Sequence, residues 1–143
     1  MEIIQKCERY FTPIGRIVIG AYFVLSGVDK LMNIPGTAGA IESVGLPAGV
    51  LLGVFAAILE VGAGGALVAG YYTKYAALAL AAFVLVVSFL FHSPGVWTDN
   101  PIQQILFMKN MAIAGGLLFM AAHVGAPCCQ TKLGVTSESG TGV

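Results

Sequence analysis

Glu60 is the strongest candidate for a functional residue, because it is the one charged side chain in an otherwise apolar run from Leu51 to Gly70, LLGVFAAILEVGAGGALVAG. About 20 apolar residues suffice to cross a hydrocarbon core of about 30 Å as a helix. A carboxylate inside a membrane costs about 2.5 kcal/mol or more unless it faces protein, pairs with a cation or is protonated. We therefore expect Glu60 to have a partner, which either a structural ion pair or a functional site would supply.

Two cations on other predicted spans are candidate partners for Glu60. With a rise of about 1.5 Å per residue, Arg16 lies about 5 Å, Glu60 about 15 Å and Lys109 about 22 Å from the side of the membrane that holds the termini. Two cations and one acid in apolar surroundings are costly unless the site holds an anion, a deprotonated lysine or water. This imbalance favours a ligand pocket. A satisfied network with Asp29 as the second acid is the structural alternative.

The remaining polar residues of the spans lie farther from the termini and form an outer rim around this predicted polar core. The rim consists of Asp29, Lys30, His92 and Asn110, with Ser26 and Ser88 as secondary members. At about 100° per residue, one face of the first span carries Arg16, Gly20, Phe23, Gly27 and Lys30. One face of the fourth span carries Lys109, Ala112, Gly116 and His123. We predict that both faces point at a seam of small residues around Glu60, formed by Gly53, Ala57 and Gly64.

The elements that must position these residues are membrane helices. Of the 143 residues, 57% are hydrophobic and only 10% are charged, whereas roughly a quarter are charged in a soluble domain. The sequence predicts an all-α, integral membrane four-helix bundle with spans at about 13–32, 50–70, 75–92 and 103–124. A polar arm, residues 1–12, precedes it, and a partly disordered tail, residues 125–143, follows it. The loop after the first span is expected to hold a short turn near residues 38–44.

The positive charges indicate how the bundle is oriented. Most of them flank the ends of the spans on the side of the termini, namely Lys6, Arg9, Arg16, Lys74 and Lys132. By the positive-inside rule both termini are cytoplasmic, and no removable signal peptide is expected. We therefore expect a multi-pass protein of a bacterial cytoplasmic membrane. Seven basic residues balance seven acidic ones, so nucleic acid is not an expected partner.

Motifs for tightly held cofactors are missing from the sequence. There is no Cys-x-x-Cys, nucleotide fingerprint or phosphate loop, and His92 and His123 lie about 25 Å apart along the bundle, too far to share a haem. Cys7, Cys128 and Cys129 lie near the cytoplasmic boundary, where inert thiols are the simpler interpretation and a thiol cluster is the alternative. Neither a disulfide nor a zinc site suits adjacent cysteines, so no metal is predicted.

A quinone is the cofactor most compatible with the polar core. It needs an apolar slot and one or two hydrogen-bond donors for its carbonyl groups. His92, Lys109 and Asn110 are the candidate donors, and Glu60 is a candidate route for the protons taken up on reduction.

Several stretches, in this order, resemble the DoxX family of small four-span bacterial membrane proteins. They are RIVIGAYFVLSGVDKL in the first span, ILEVGAGGALVAGYYTKYAAL across the second and third, His92, and QQILFMKNMAIAGGLLF in the fourth. The resemblance implies a compact bundle in the cytoplasmic membrane that is associated with oxidoreductase systems, since the family is named after a subunit of a thiosulfate:quinone oxidoreductase. It marks these positions: Arg16, Gly27, Lys30, Glu60, Gly64, His92, Lys109 and Asn110.

The function expected from this resemblance and from the buried charges is that of a membrane subunit or partner in a quinone-linked or thiol-redox system. If the chain takes part in catalysis, it does so as an oxidoreductase subunit and not as a stand-alone enzyme. Its expected partners are the lipid bilayer and either other membrane or redox subunits or further copies of itself. Two alternatives remain open: a non-catalytic assembly subunit and a small-molecule carrier.

Overall fold

The computed structural model describes the backbone of residues 2–96 and 100–123 and the side chains of residues 10–95 and 100–123. Its helices are α1 (Glu2–Met32), α2 (Ile34–Ser43), α3 (Gly49–Ala69), α4 (Thr73–Phe91) and α5 (Pro101–His123), with one 3-10 turn at Pro94–Val96. No strand occurs within these described ranges. Because α1, α3, α4 and α5 are long and apolar enough to cross a membrane, the predicted all-α, four-span architecture is confirmed.

The loop after the first span is more helical than the sequence indicated. In place of a short turn, α2 fills ten residues, and the Asn33 side chain caps its start by accepting a hydrogen bond from the Gly36 amide at 3.2 Å. Pro35 lies in the first turn of α2, where its missing N–H leaves no helical hydrogen bond unmade. The predicted arm is also helical, since α1 begins at Glu2. The predicted tail lies outside the described residues.

Glycines bring α1 and α3 into close antiparallel contact. A Cβ on Gly20 would lie 2.7 Å from the Gly64 carbonyl oxygen, and a Cβ on Gly64 would lie 2.8 Å from the Gly20 carbonyl oxygen. Farther along, a Cβ on Gly27 would lie 2.8 Å from the Ala57 carbonyl oxygen. Lipid tails are as apolar as the side chains of membrane helices, so close van der Waals packing of small residues is one of the main forces that hold α1 and α3 together.

The other half of the bundle is the hairpin of α4 and α5, which contacts α1 and α3 through a shared core. The largest fully buried apolar side chains come from all four spans: Phe23, Leu67, Leu80 and Leu117. Near the far end of the hairpin, the rings of Phe89 and Phe107 meet edge to face at 5.4 Å. The antiparallel order puts the start of α1 and the end of α5 at one end of the bundle, which we call the terminal end, and α2 at the other, the α2 end. That the terminal end is cytoplasmic remains a prediction.

Candidate functional site

Glu60 and Lys30 form an ion pair between α3 and α1. The Lys30 ammonium donates to both carboxylate oxygens of Glu60, at 2.8 and 3.1 Å, and to the Ser26 hydroxyl at 2.8 Å. The Glu60 side chain is only 5% exposed, whereas 28% of the Lys30 side chain is accessible. The pair is therefore buried on the carboxylate side and open on the ammonium side.

The expectation that Arg16 or Lys109 pairs with Glu60 is wrong, and the direction of helical side chains explains why. A side chain on a helix leans toward the N-terminus of that helix. Lys30 on α1 therefore leans toward the terminal end, while Glu60 on the antiparallel α3 leans toward the α2 end, so their charged groups converge. By the same rule Arg16 leans away from the depth of Glu60, whereas Lys109 lies on a different, exposed face of the bundle.

Lys109 belongs to a different face of the bundle from the one predicted. Its side chain is exposed, and its ammonium lies 5.9 Å from the centre of the Tyr22 ring, a distance at which a cation is attracted to an aromatic face. The rest of its helical face, predicted to point inward, is exposed too: Ala112, Gly116 and His123. The face of α5 that is buried instead carries Ala114, Leu117 and Ala121.

Arg16 lies at the terminal end, where its guanidinium covers Gly70 just after the last residue of α3. A Cβ on Gly70 would lie 2.9 Å from the guanidinium carbon and from both of its terminal nitrogens. Ten residues of α3 separate Gly70 from Glu60, a distance of about 15 Å along the helix. Arg16 and Glu60 therefore belong to separate parts of the molecule.

The other predicted polar residues have environments that differ from one to the next. Asp29 is exposed and forms no ion pair with a described residue, so it does not supply the second acid. Ser88 is fully buried and donates to the Val84 carbonyl at 2.6 Å within its own helix. Asn110 is half-buried on α5. The side chain of Cys7, with all of Cys128 and Cys129, lies outside the described residues.

A cavity of about 570 Å³ lies beside the ion pair, toward the α2 end. Its walls come mainly from apolar residues of α2, α3 and α4, including Ile41, Phe55 and Phe83, and the Lys30–Glu60 pair and His92 supply charged and polar groups. Phe55 is 63% exposed on the outer surface of the spans. Val86 of α4, another lining residue, is 56% exposed, so the α3–α4 side of the cavity lies at the outer surface of the spans, which lipid surrounds in a membrane protein.

His92 is the predicted rim residue that reaches this cavity from α4. Its Nδ1 forms a hydrogen bond with Oε1 of Gln103, which orients the ring and ties the end of α4 to the start of α5. Lys109 and Asn110 do not line the cavity, so from the predicted polar core and rim the structure brings together Lys30, Glu60 and His92, with Ser26 bonded to Lys30.

Sequence reasoning missed Gln103 and the wall that α2 contributes. Asn33, Gly36, Thr37, Ala40 and Ile41 all line the cavity. The signal for α2 was present, because Asn33 followed by a proline within the first turn is typical of a helix start. Gln103 had a weaker signal: it is a polar residue at the start of a span, opposite His92 across a short connection.

Among the described residues, no three His, Cys, Asp or Glu side chains lie close enough together to bind a metal ion. The chemistry that the site offers is hydrogen bonding and charge stabilisation. Lys30 lines the cavity, and its positive charge can stabilise negative charge that develops on a nearby carbonyl oxygen.

Comparison with known proteins gives one family and two relatives. The family model described as DoxX matches residues 11–93, more than half of the chain. The Escherichia coli inner membrane protein YqjF is 34% identical over 117 residues, which cover 82% of this chain and 86% of that protein. The E. coli inner membrane protein YphA is 30% identical over 110 residues, 76% of this chain and 79% of its own length. No solved structure matches significantly. With four membrane-spanning helices, the chain is a multi-pass protein of the inner membrane.

Proposed function

We propose that this chain, which belongs to the DoxX family of membrane proteins, acts as a membrane subunit or partner of a quinone-linked redox system. The observation that carries the proposal is the cavity beside the Lys30–Glu60 pair. Apolar walls, a few polar groups in fixed positions and a side at the lipid-facing surface together suit a lipophilic ring that bears carbonyl oxygens.

Lys30 is the residue proposed to recognise the quinone. The Lys30 ammonium is held by Glu60 and Ser26, so its direction is fixed before a ligand enters. The three N–H groups of the ammonium reach Oε1 and Oε2 of Glu60 and the Ser26 hydroxyl, so a ring carbonyl would take the place of one of these acceptors. That contact would strengthen as electrons enter the ring, because the carbonyl oxygen then becomes more negative. In this proposal Lys30 takes the donor role that the sequence assigned to Lys109, and His92 is a second donor.

Glu60 and His92 are proposed to serve the proton transfers. Reduction of a quinone to a quinol takes up two electrons and two protons. The proposed source of the electrons is a partner subunit with a redox cofactor, since the sequence carries no motif for a tightly bound one. In this proposal the Lys30 ammonium gives one proton to the reduced ring and regains it from water by way of the Glu60 carboxylate that it contacts. His92, which lines the same cavity, is the proposed donor of the second proton.

The test is quinone occupancy of the protein after purification in mild detergent. Ala56 lines the cavity on α3 without taking part in the ion pair, so Ala56→Phe should fill the space and abolish binding of a short-chain ubiquinone analogue. Ala82→Phe adds the same ring at an exposed position of α4 and serves as the matched control. Equal quinone occupancy in both variants and the unaltered protein would refute the proposed site.

A structural role for the pair is the second candidate, and one observation favours it. Both Glu60 oxygens accept hydrogen bonds from Lys30, so each charge of the pair is neutralised by the other, as expected in an assembly subunit. Mass spectrometry of the purified protein separates the two. A stoichiometric protein partner with no bound quinone, retained in Ala56→Phe, would support assembly alone.

A further inference from the structure

Arg16 is a positive charge that the fold positions but does not neutralise. Glu60, the acid of the second span, is occupied by Lys30, and no described carboxylate pairs with Arg16. Its Nε is fully buried yet has no hydrogen-bond partner among the described residues. Because an unpaired charged donor is costly to bury, the Arg16 guanidinium calls for an anion from outside this part of the chain.

The end of α3 holds the guanidinium in place without satisfying it. Gly70 has a positive φ of 80° and closes α3, with its amide and that of Tyr71 bonded back to the Ala66 carbonyl. The absence of a side chain at Gly70 lets the guanidinium lie flat over this turn. The negative end of the α3 dipole favours a cation here, but it supplies no hydrogen-bond acceptor to the buried Nε.

The start of α4 adds a second unpaired donor beside the same turn. Thr73, the first residue of α4, is only 4% exposed, and its hydroxyl has no hydrogen-bond partner in the described part of the chain. Tyr72 precedes it and forms no side-chain cap, so the first amides of this 19-residue helix also lack a side-chain acceptor. Donors from two elements therefore flank one short turn.

The exposed residues of this turn place it at the level of lipid headgroups. Tyr71, Tyr72 and Tyr75 are 73%, 77% and 69% exposed, respectively, and Lys74 between them is exposed as well. Exposed tyrosines at the ends of spans are typical of the membrane interface, where phosphate groups lie. A guanidinium matches the geometry of two phosphate oxygens.

We propose that Arg16, Thr73 and the first amides of α4 bind the phosphate of an anionic phospholipid at the α3–α4 turn. The shared chemistry is that of a phosphate anion, and the interfacial tyrosines favour a lipid over a dissolved ion as its source. The site lies at the opposite end of α3 from the cavity, so this proposal stands independently of quinone binding.

The test is lipid binding to the full chain, measured by native mass spectrometry from mild detergent. We expect phosphatidylglycerol to bind roughly tenfold more tightly than phosphatidylcholine with the same acyl chains, since a charged hydrogen-bonded contact supports a difference of that size. Arg16→Gln should abolish this preference, and Arg16→Lys should retain part of it. Lys109→Gln removes an exposed cation on another face and should leave the preference unchanged.

Three results would overturn the proposal. One is equal preference for phosphatidylglycerol in Arg16→Gln and the unaltered protein, and another is an equal loss in Lys109→Gln. The third is displacement of phosphatidylglycerol by millimolar inorganic phosphate, which would make the site one for a soluble anion. Should Arg16→Gln fail to fold, the isosteric Thr73→Val decides: a several-fold weaker preference supports the site, and an unchanged preference refutes it.

Discussion

Gly64 and Gly65 are adjacent glycines of α3 that should respond in opposite ways to the same substitution. In Gly64→Ala the new Cβ would lie 2.8 Å from the Gly20 carbonyl oxygen, 3.0 Å from Phe23 Cβ and 3.0 Å from the Val24 amide nitrogen. These atoms belong to the backbone of α1 or to its first side-chain carbon, so no rotamer change can move them away. At Gly65 nothing lies within 4 Å of the added Cβ.

The expected magnitude follows from this geometry. Ordinary van der Waals contact begins at 3.4 Å, so α1 and α3 must separate by about 0.6 Å at their crossing, in a region packed too densely to absorb it. Overpacking of this kind costs about 1–3 kcal/mol. Gly65→Ala should instead be neutral or stabilising by up to about 1 kcal/mol, because alanine favours a helix more than glycine does.

The assay is reversible unfolding in dodecyl maltoside micelles titrated with sodium dodecyl sulfate, followed by far-ultraviolet circular dichroism. Gly64→Ala should unfold at a lower fraction of dodecyl sulfate than the unaltered protein, and Gly65→Ala should not. Adding Gly20→Ala to Gly64→Ala should cost less than the sum of the two single changes, because one separation of the helices relieves both clashes. Equal unfolding free energies for Gly64→Ala and Gly65→Ala would refute the close approach of α1 and α3.

Two further predictions concern the ion pair and the helix that covers the cavity. Lys30→Met should lower the free energy of unfolding in the same titration by about 3 kcal/mol, because it leaves the Glu60 carboxylate buried without a partner. The control Lys109→Met should change the free energy of unfolding by less than about 0.5 kcal/mol. Equal effects of the two substitutions would contradict the pairing of Lys30 with Glu60. Asn33→Ala should weaken α2 by about 1 kcal/mol through loss of its cap, and Asn33→Asp should not. Hydrogen exchange of α2 amides measures this, and identical exchange in the two Asn33 variants would exclude the cap.

Much of the fold follows from the sequence because membrane spans have a simple signature. Twenty apolar residues require a helix, since only a helix satisfies the backbone within hydrocarbon, and glycines in register with Glu60 already indicated a close seam. The inward face of the first span was also predicted correctly: Gly20, Phe23 and Gly27 are buried. These features depend on local composition and helical period, both of which one sequence contains.

The pairing within the site was harder to predict because it depends on the direction of long side chains across two helices. Depth along the membrane, counted from Cα positions, placed Lys109 nearer to Glu60 than Lys30. Lys30 reaches Glu60 because its side chain leans toward the start of α1 while Glu60 leans toward the start of α3. The outward turn of Lys109 had no reliable signal, since α5 has small residues on both its exposed and its buried faces.

These positions resolve the charge imbalance that the sequence raised. Two cations and one acid need not share one buried site, because each charge has a different environment. Lys30 neutralises Glu60 beside the cavity, Lys109 is exposed near the Tyr22 ring, and Arg16 lies at the terminal end over Gly70. Arg16 and Lys30 share one face of α1, yet fourteen residues, about 21 Å, separate them. One helical face thus carries the neutral pair at the proposed quinone site and the unpaired cation at the proposed phosphate site. We therefore expect that a substitution which abolishes one kind of binding leaves the other intact.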